Sequence, residues 1–402
     1  MPPPRIIPLI PERPALAHAD TPGQPAAGLP GALPVKGRGT AWAVPHRFER
    51  QAREAVDDGW GSLAALAGVA PGSEPPGAGP ATTVIDEPAG RILTANDSPD
   101  IPFDLSINPY RGCEHGCIYC FARPTHSYLN LSPGLDFETR IIAKSNAAQR
   151  LREALSHPGY EPQALNIGSA TDPYQPVERQ WRLTRQVIEV LHEARHPFSL
   201  LTKSAGIERD LDLIGEMGRA NQAAVYVSVT TLDPQLARTL EPRAAAPHRR
   251  LRSIEALAKV GVRVGVSVSP VIPFLNEPEL ERILQAAADA GAQSAFSVVL
   301  RLPWEVNPLF QQWLEQHVPE RAARIMARVR ELRGGRDYDA DFKQRMTGQG
   351  AWAQLLRDRF HLATRRLGLS TERHTLDASA FRRPLPPMSL GQRPGAAQAS
   401  LF

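Results

Sequence analysis

Apolar and polar positions separate a patterned middle of the chain from two unpatterned flanks. Between about residues 100 and 305, short β-branched runs recur: DLSIN (104–108), LNIGS (165–169), FSLLTKS (198–204), AVYVSVTT (224–231), VRVGVSVSPVI (262–272) and SAFSVVL (294–300). Between them lie stretches of helical period, such as WRLTRQVIEVLHEA (181–194), HRRLRSIEALAKVG (248–261) and EPELERILQAAADAG (277–291). Strand and helix alternating about every thirty residues is the signature of repeated βα units and a parallel sheet. Six such strands predict an α/β fold, a partial (β/α)6 barrel of the TIM type, in place of a closed eight-stranded one. Two long helices, roughly 308–333 and 339–368, are expected to pack outside it or cap its open edge.

The flanks read differently. Residues 1–95 are rich in Pro, Gly and Ala and are expected to be mostly flexible, with PGSEPPGAGPATT (71–83) as a linker and one short helix within 45–68. The basic cluster KGRGT (36–40) is expected to be flexible too. Residues 371–402 return to Pro and polar positions and read as a flexible tail. The expected division is therefore an extension (1–95), a core barrel (96–305), a helical region (306–370) and the tail.

Composition narrows the classes. With 402 residues, 42% hydrophobic and 22% charged, the chain is globular overall. No apolar run is long enough to span a bilayer, and the prolines of MPPPRIIPLIPERP interrupt any signal-peptide core. A cytoplasmic protein is expected. The net charge of +4 does not by itself argue for nucleic acid.

Candidate chemistry gathers in NPYRGCEHGCIYCFAR (108–123), which holds all three cysteines, Cys113, Cys117 and Cys120. Three thiols in eight residues cannot form a framework of pairs, which agrees with a reducing compartment. A [4Fe–4S] cluster on three thiolates leaves one iron open to a small molecule. A Cys3His zinc site completed by His115 or His126 is the alternative reading. Strand ends are also unusually polar. Lys203 terminates an apolar strand, where its charge is costly unless used. Period-two alternation puts Ser228 with Thr230, and Ser267 with Ser269, on shared faces, either to bond a ligand or to fit a crowded interior. Asp172 lies in a Thr-Asp-Pro turn and serves either as a cap or in the site. Glu241 and Arg243 read as a local salt bridge.

Cys113-x3-Cys117-x-Tyr119-Cys120 resembles the defining motif of the radical S-adenosylmethionine (SAM) superfamily, with Tyr119 as its aromatic. The resemblance implies that the amino and carboxylate groups of SAM chelate the open iron. One electron then cleaves the sulfonium, and the resulting 5′-deoxyadenosyl radical abstracts hydrogen from substrate. Gly168 and Ser169 stand where the superfamily has a glycine-rich segment for the SAM amino group, and Lys203, Ser228 and Ser267 become candidates for its carboxylate or ribose. The family also implies a reductant such as flavodoxin or ferredoxin.

Together with SATDPY, LTKS, SVTTLD, EPRA and VSPVIP, the loop resembles the spore photoproduct lyase-like group over about residues 100–305. That group's lyase splits a thymine dimer in DNA using an extra cysteine as hydrogen donor. Here no fourth cysteine exists, and Phe121 stands where the group has tyrosine, so substrate or radical quench is expected to differ. The ending Gln398-Ala399-Ser400-Leu401-Phe402 resembles the peptide with which repair proteins dock on the bacterial sliding clamp. Three functions remain open: a radical SAM enzyme on DNA, one acting on RNA, peptide or a small molecule, and a non-catalytic iron–sulfur protein that binds nucleic acid.

Overall fold

The computed structural model describes residues 37–40, 42–48 and 80–386, all within one compact unit, Leu33–Phe402. Its strands are β1 (Thr83–Asp86), β2 (Leu93–Ala95), β3 (Leu105–Ile107), β4 (Tyr110–Arg111), β5 (Arg140–Ala143), β6 (Leu165–Ile167), β7 (Phe198–Thr202), β8 (Ala223–Ser228), β9 (Arg263–Val271) and β10 (Ser294–Val299). The main sheet runs β10-β9-β8-β7-β6-β3-β2. The six strands β3, β6, β7, β8, β9 and β10 are parallel, as the βα alternation predicts, and β2 adds antiparallel to β3 at one edge.

Alternation along the strands divides this sheet into two unlike faces. Val225, Val227, Val264, Val266 and Val268 are fully buried with Ile188, Ile254, Leu257 and Ile283 of the surrounding helices. Each aliphatic side chain buried this way contributes roughly 1.5–3 kcal/mol. The opposite face carries Ser106, Asn166, Ser199, Tyr226, Ser228, Ser267 and Ser269, at strand positions in register across the sheet. An aliphatic shell around a polar interior is the layout of a barrel that holds a polar ligand.

Several expectations about the flanks are corrected. Part of the 1–95 extension is paired: β1 lies parallel to β5, and β2 bonds β3. The described part of the KGRGT cluster, residues 37–40, is anchored too, with Arg38 and Thr40 buried. The helix expected at 308–333 is two helices, Val306–His317 and Pro319–Glu331, because Pro319 lacks the N–H that continuation requires. The helix expected at 339–368 starts only at Gly350. The tail packs on the barrel as far as residue 384: Asp377 N bonds Asn221 O, Arg382 N bonds Ala194 O and Pro384 O accepts from Ser156, while Phe381 meets Tyr160 and His196. The helix expected within 45–68 is outside the described residues from position 49 onward.

Candidate functional site

The cysteine loop leaves the C-terminal end of β3, through β4, and is held from several sides. Arg123 is fully buried beneath it and gathers its carbonyls: Nε donates to Cys117 O (2.9 Å), Nη2 to Gly116 O (3.2 Å) and Nη1 to Gly134 O (2.9 Å). Its charge is met by buried Glu138 at 2.5 Å. Gln175 clamps the loop entrance, donating to Gly112 O and accepting from Glu114 N. The Glu114 carboxylate accepts from Val177 N (2.6 Å) and Thr82 Oγ1 (2.6 Å) and pairs with Arg243 (3.1 Å). Gly116 has φ +66°, and a Cβ there would lie 2.6 Å from Glu138 Oε2, so the turn admits only glycine.

The three thiols are enclosed: Cys113 and Cys117 are buried and Cys120 is half-buried. Burial pushes all three up, Cys117 to about 12, so none is a reactive thiolate at neutral pH. They become ligands only with a positively charged centre that offsets the desolvation. Each histidine proposed to complete a zinc site has a neighbour other than the thiols, while its Nδ1 is buried without a hydrogen bond among the described residues. His126 Nε2 donates to Arg140 O at 3.1 Å, and His115 Nδ1 lies 3.3 Å from Asp172 Oδ2. Among the described residues no three His, Cys, Asp or Glu side chains are grouped to share one ion. A cluster does not require that, because its thiolates bind different irons.

Tyr119 turns from the loop into a buried network. Its hydroxyl donates to Glu241, which also accepts from Thr230 Oγ1 (2.6 Å) and pairs with Arg250. Burial works against the Glu241 carboxylate, but Arg250 and Lys203 hold it down at about 2. The expected Glu241–Arg243 pair is therefore wrong. Arg243 turns to Glu114, and the partner of Glu241 comes from the helix Pro247–Lys259. Lys203, just past the end of β7, points its ammonium toward the Tyr119 ring at 6.0 Å, and that ammonium has no ion pair or hydrogen bond among the described residues.

Ser228 and Ser267 are direct register neighbours on β8 and β9, with Ser269 two residues further. The hydroxyls of all three, and that of Thr171, are buried without a hydrogen-bond partner among the described residues. Buried polar groups are normally satisfied, so an orphaned cluster beside a free ammonium fits a polar ligand. Gly168 has φ +82°, and a Cβ would lie 2.5 Å from Pro173 Cδ, so the turn after β6 requires glycine. Ser169 Oγ is committed to Asn108 (3.0 Å). Asp172 does structural work. It accepts from Tyr174 N, Thr202 Oγ1 and Lys203 N, and although burial opposes the charge, His115 and these donors hold the carboxyl below its usual range.

The sequence reading took Arg38 and Gly39 only as part of a flexible basic cluster. Arg38 donates to Glu138 O (2.8 Å) and Gly39 N to Glu138 Oε2 (2.8 Å), which binds the N-terminal segment onto the cysteine loop. It gave no role to Arg123, Glu138, Gln175 and Arg250. The only local signal was that an arginine inside an apolar stretch must find a carboxylate.

The site thus combines a thiol loop at the mouth of a parallel partial barrel with a polar interior that holds unsatisfied hydroxyls. The family model described as the Radical SAM superfamily matches residues 107–287. A protein of Mycobacterium tuberculosis, Rv2578c, is 38% identical over 234 residues, 58% of this chain and 68% of the relative. MJ0683 of Methanocaldococcus jannaschii is 24% identical over 214 residues, 53% and 76% of the two chains. Among solved structures, spore photoproduct lyase complexed with dinucleoside spore photoproduct has a TM-score of 0.49 at 14% identity, over 71% of this chain and 81% of that one. The chain belongs to the radical SAM superfamily, a family that implies a [4Fe–4S] cluster and SAM. No described helix is long and apolar enough to cross a membrane.

Proposed function

We propose that Cys113, Cys117 and Cys120 hold a [4Fe–4S] cluster and that SAM lies between the loop and the strand ends. When bound, the two cofactors supply an electron and a carbon radical for hydrogen abstraction from substrate. The protein's part is binding and exclusion of water. Lys203 meets the SAM carboxylate, Ser228 and Ser267 bond its polar edges, the backbone at Gly168 and Ser169 borders the amino group, and Tyr119 offers a ring oriented through Glu241. The observation that carries this reading is the set of orphaned hydroxyls on β8 and β9, which the barrel itself leaves unsatisfied.

For substrate, motif resemblance favours lyase-like repair chemistry on DNA. The chain has no fourth cysteine to return a hydrogen, so the quench differs from that of the motif's best-known bearer. A reductant such as flavodoxin or ferredoxin and a cytoplasmic setting complete the proposal. Docking on the sliding clamp through Gln398, Ser400, Leu401 and Phe402 belongs to it as well, and those residues lie outside the described ones. The test is deuterium transfer from labelled lesion-containing DNA into 5′-deoxyadenosine by the anaerobically reconstituted protein. Transfer supports the reading. Cleavage of SAM without transfer removes DNA and leaves the enzyme class.

A further inference from the structure

Five large aromatic side chains are exposed among the described residues: Phe48, Phe121, Tyr128, Trp304 and Phe342. Every one has an arginine guanidinium against its ring. Arg47 lies 4.7 Å from Phe48, 5.3 Å from Tyr128 and 4.4 Å from Trp304; Arg301 lies 5.5 Å from Phe121; Arg345 lies 4.3 Å from Phe342. Three of the rings share Arg47, and Phe121 and Phe342 each have an arginine of their own.

Four of the five gather at one end of the barrel. Phe121 follows the last cysteine, Tyr128 lies on the short helix Arg123–Leu129 behind it, Trp304 lies beyond the C-terminal end of β10, and Phe48 lies next to Tyr128. Phe48 and Tyr128 rings are 5.4 Å apart. Trp304 is 59% exposed and Tyr128 69%, although burying them would have been favourable. Trp304 is also held at φ +45°, a conformation that a bulky residue adopts only under constraint.

Charge on this rim is uneven. Arg47 is paired with Glu305 at 3.1 Å. Arg301 has no ion pair among the described residues, and its Nε is buried without a partner. Beside it Arg333 is buried, its guanidinium lowered to about 10 by burial and by Arg301. Asp339 partly offsets Arg333, which leaves Arg301 as the arginine on this edge without a carboxylate partner among the described residues.

We propose that this rim binds an unpaired nucleic-acid strand, with bases stacking on Phe121 and Trp304 and a phosphate meeting Arg301. Exposed aromatic rings backed by arginine, with one arginine lacking a carboxylate partner, match unstacked bases and their backbone. A duplex hides its base faces, and an acidic peptide offers charge without them. Phe48, Arg301 and Trp304 lie outside residues 107–287, so the surface is built largely by segments beyond the family match. The inference deepens the nucleic-acid reading of the proposed function and places the strand beside the same mouth.

The experiment uses the full chain, kept anaerobic, and fluorescence anisotropy with a labelled single-stranded 12-mer of about that length in DNA and RNA forms. Parallel arms carry the matching duplex and a polyglutamate chain of equal charge. The expected result is tighter binding of single strands than of duplex or polyglutamate. Trp304→Ala should weaken it about tenfold and Arg301→Gln should flatten its salt dependence. SAM cleavage without oligonucleotide should be unchanged in Trp304→Ala, which reports an intact fold. The relative affinities of the DNA and RNA forms assign the type of strand. Duplex or polyglutamate binding as tight as single strand, or unchanged affinity in both variants, overturns the proposal. Lost SAM cleavage with retained strand binding would instead overturn the catalytic reading and leave this one standing.

Discussion

The carboxylate of Glu138 accepts a hydrogen bond from the backbone N–H of Gly39 at 2.8 Å while pairing with Arg123 at 2.5 Å. One buried acid thus ties an N-terminal segment to the arginine that gathers the cysteine-loop carbonyls. A Cβ at Gly39 would sit 1.8 Å from Gly116 O, so the two backbones touch.

Glu138→Gln should therefore be costly out of proportion to its size. It leaves the fully buried Arg123 without a counter-charge, a loss of about 3–5 kcal/mol in urea unfolding. The reconstituted variant should also lose its cluster absorbance faster under chelator. An unfolding free energy within about 0.5 kcal/mol of the parent would mean the pair does not hold the loop.

Glu241 is the analogous residue on the other side of the loop, pairing with Arg250 and accepting from Tyr119 and Thr230. Glu241→Gln should destabilise the protein by about 3 kcal/mol because Arg250 stays buried and charged. The double variant Glu241→Gln with Arg250→Met should recover part of that loss. Strict additivity in a double-mutant cycle would show that the two groups act independently.

The serines behave oppositely. Ser228 and Ser267 hydroxyls are orphaned, so Ser228→Ala and Ser267→Ala should leave the ligand-free protein as stable as the parent or slightly more so. SAM affinity, read by equilibrium dialysis, should fall about tenfold. A serine that merely fills the interior would give the reverse, lost stability with unchanged affinity.

Acid sensitivity has a separate source, at the seam between barrel and tail. His196 Nδ1 donates to Pro197 O at 3.0 Å, and Tyr160 donates to Nε2 at 2.8 Å, a pattern that only the neutral ring satisfies. Burial lowers His196 from 6.5 to about 4. Its folded pKa lies below the unfolded one, so its stabilisation is complete above pH 6.5 and is lost as pH falls toward 4. The limiting loss is about 3 kcal/mol. In urea titrations across that window, His196→Gln should flatten the acid limb; an unchanged slope would assign it to other groups.

The six parallel strands were legible because the aliphatic face of each repeats with period two and the helices between them with helical period. The cysteine loop was legible for a different reason: its spacing is local, and chemistry fixes it. What escaped notice is held by contacts with no local signature. Gly39 and Gly116 meet backbone to backbone, and Tyr119 reaches Glu241 across 122 residues. The wrong Glu241–Arg243 pairing came from preferring the sequence neighbour over the arginine on the following helix, which the barrel brings beneath the same strand end. Similarly, β1 and β2 are short strands in a Pro-rich region, and only their pairing with β5 and β3 makes them strands.

The central claim is that these three thiols support reductive SAM chemistry. Its most direct measurement is 5′-deoxyadenosine formation by anaerobically reconstituted protein with dithionite and SAM, beside Cys117→Ala. The account predicts product from the parent and none from the variant. Equal product from both, or none from a parent that carries a full cluster, would contradict it.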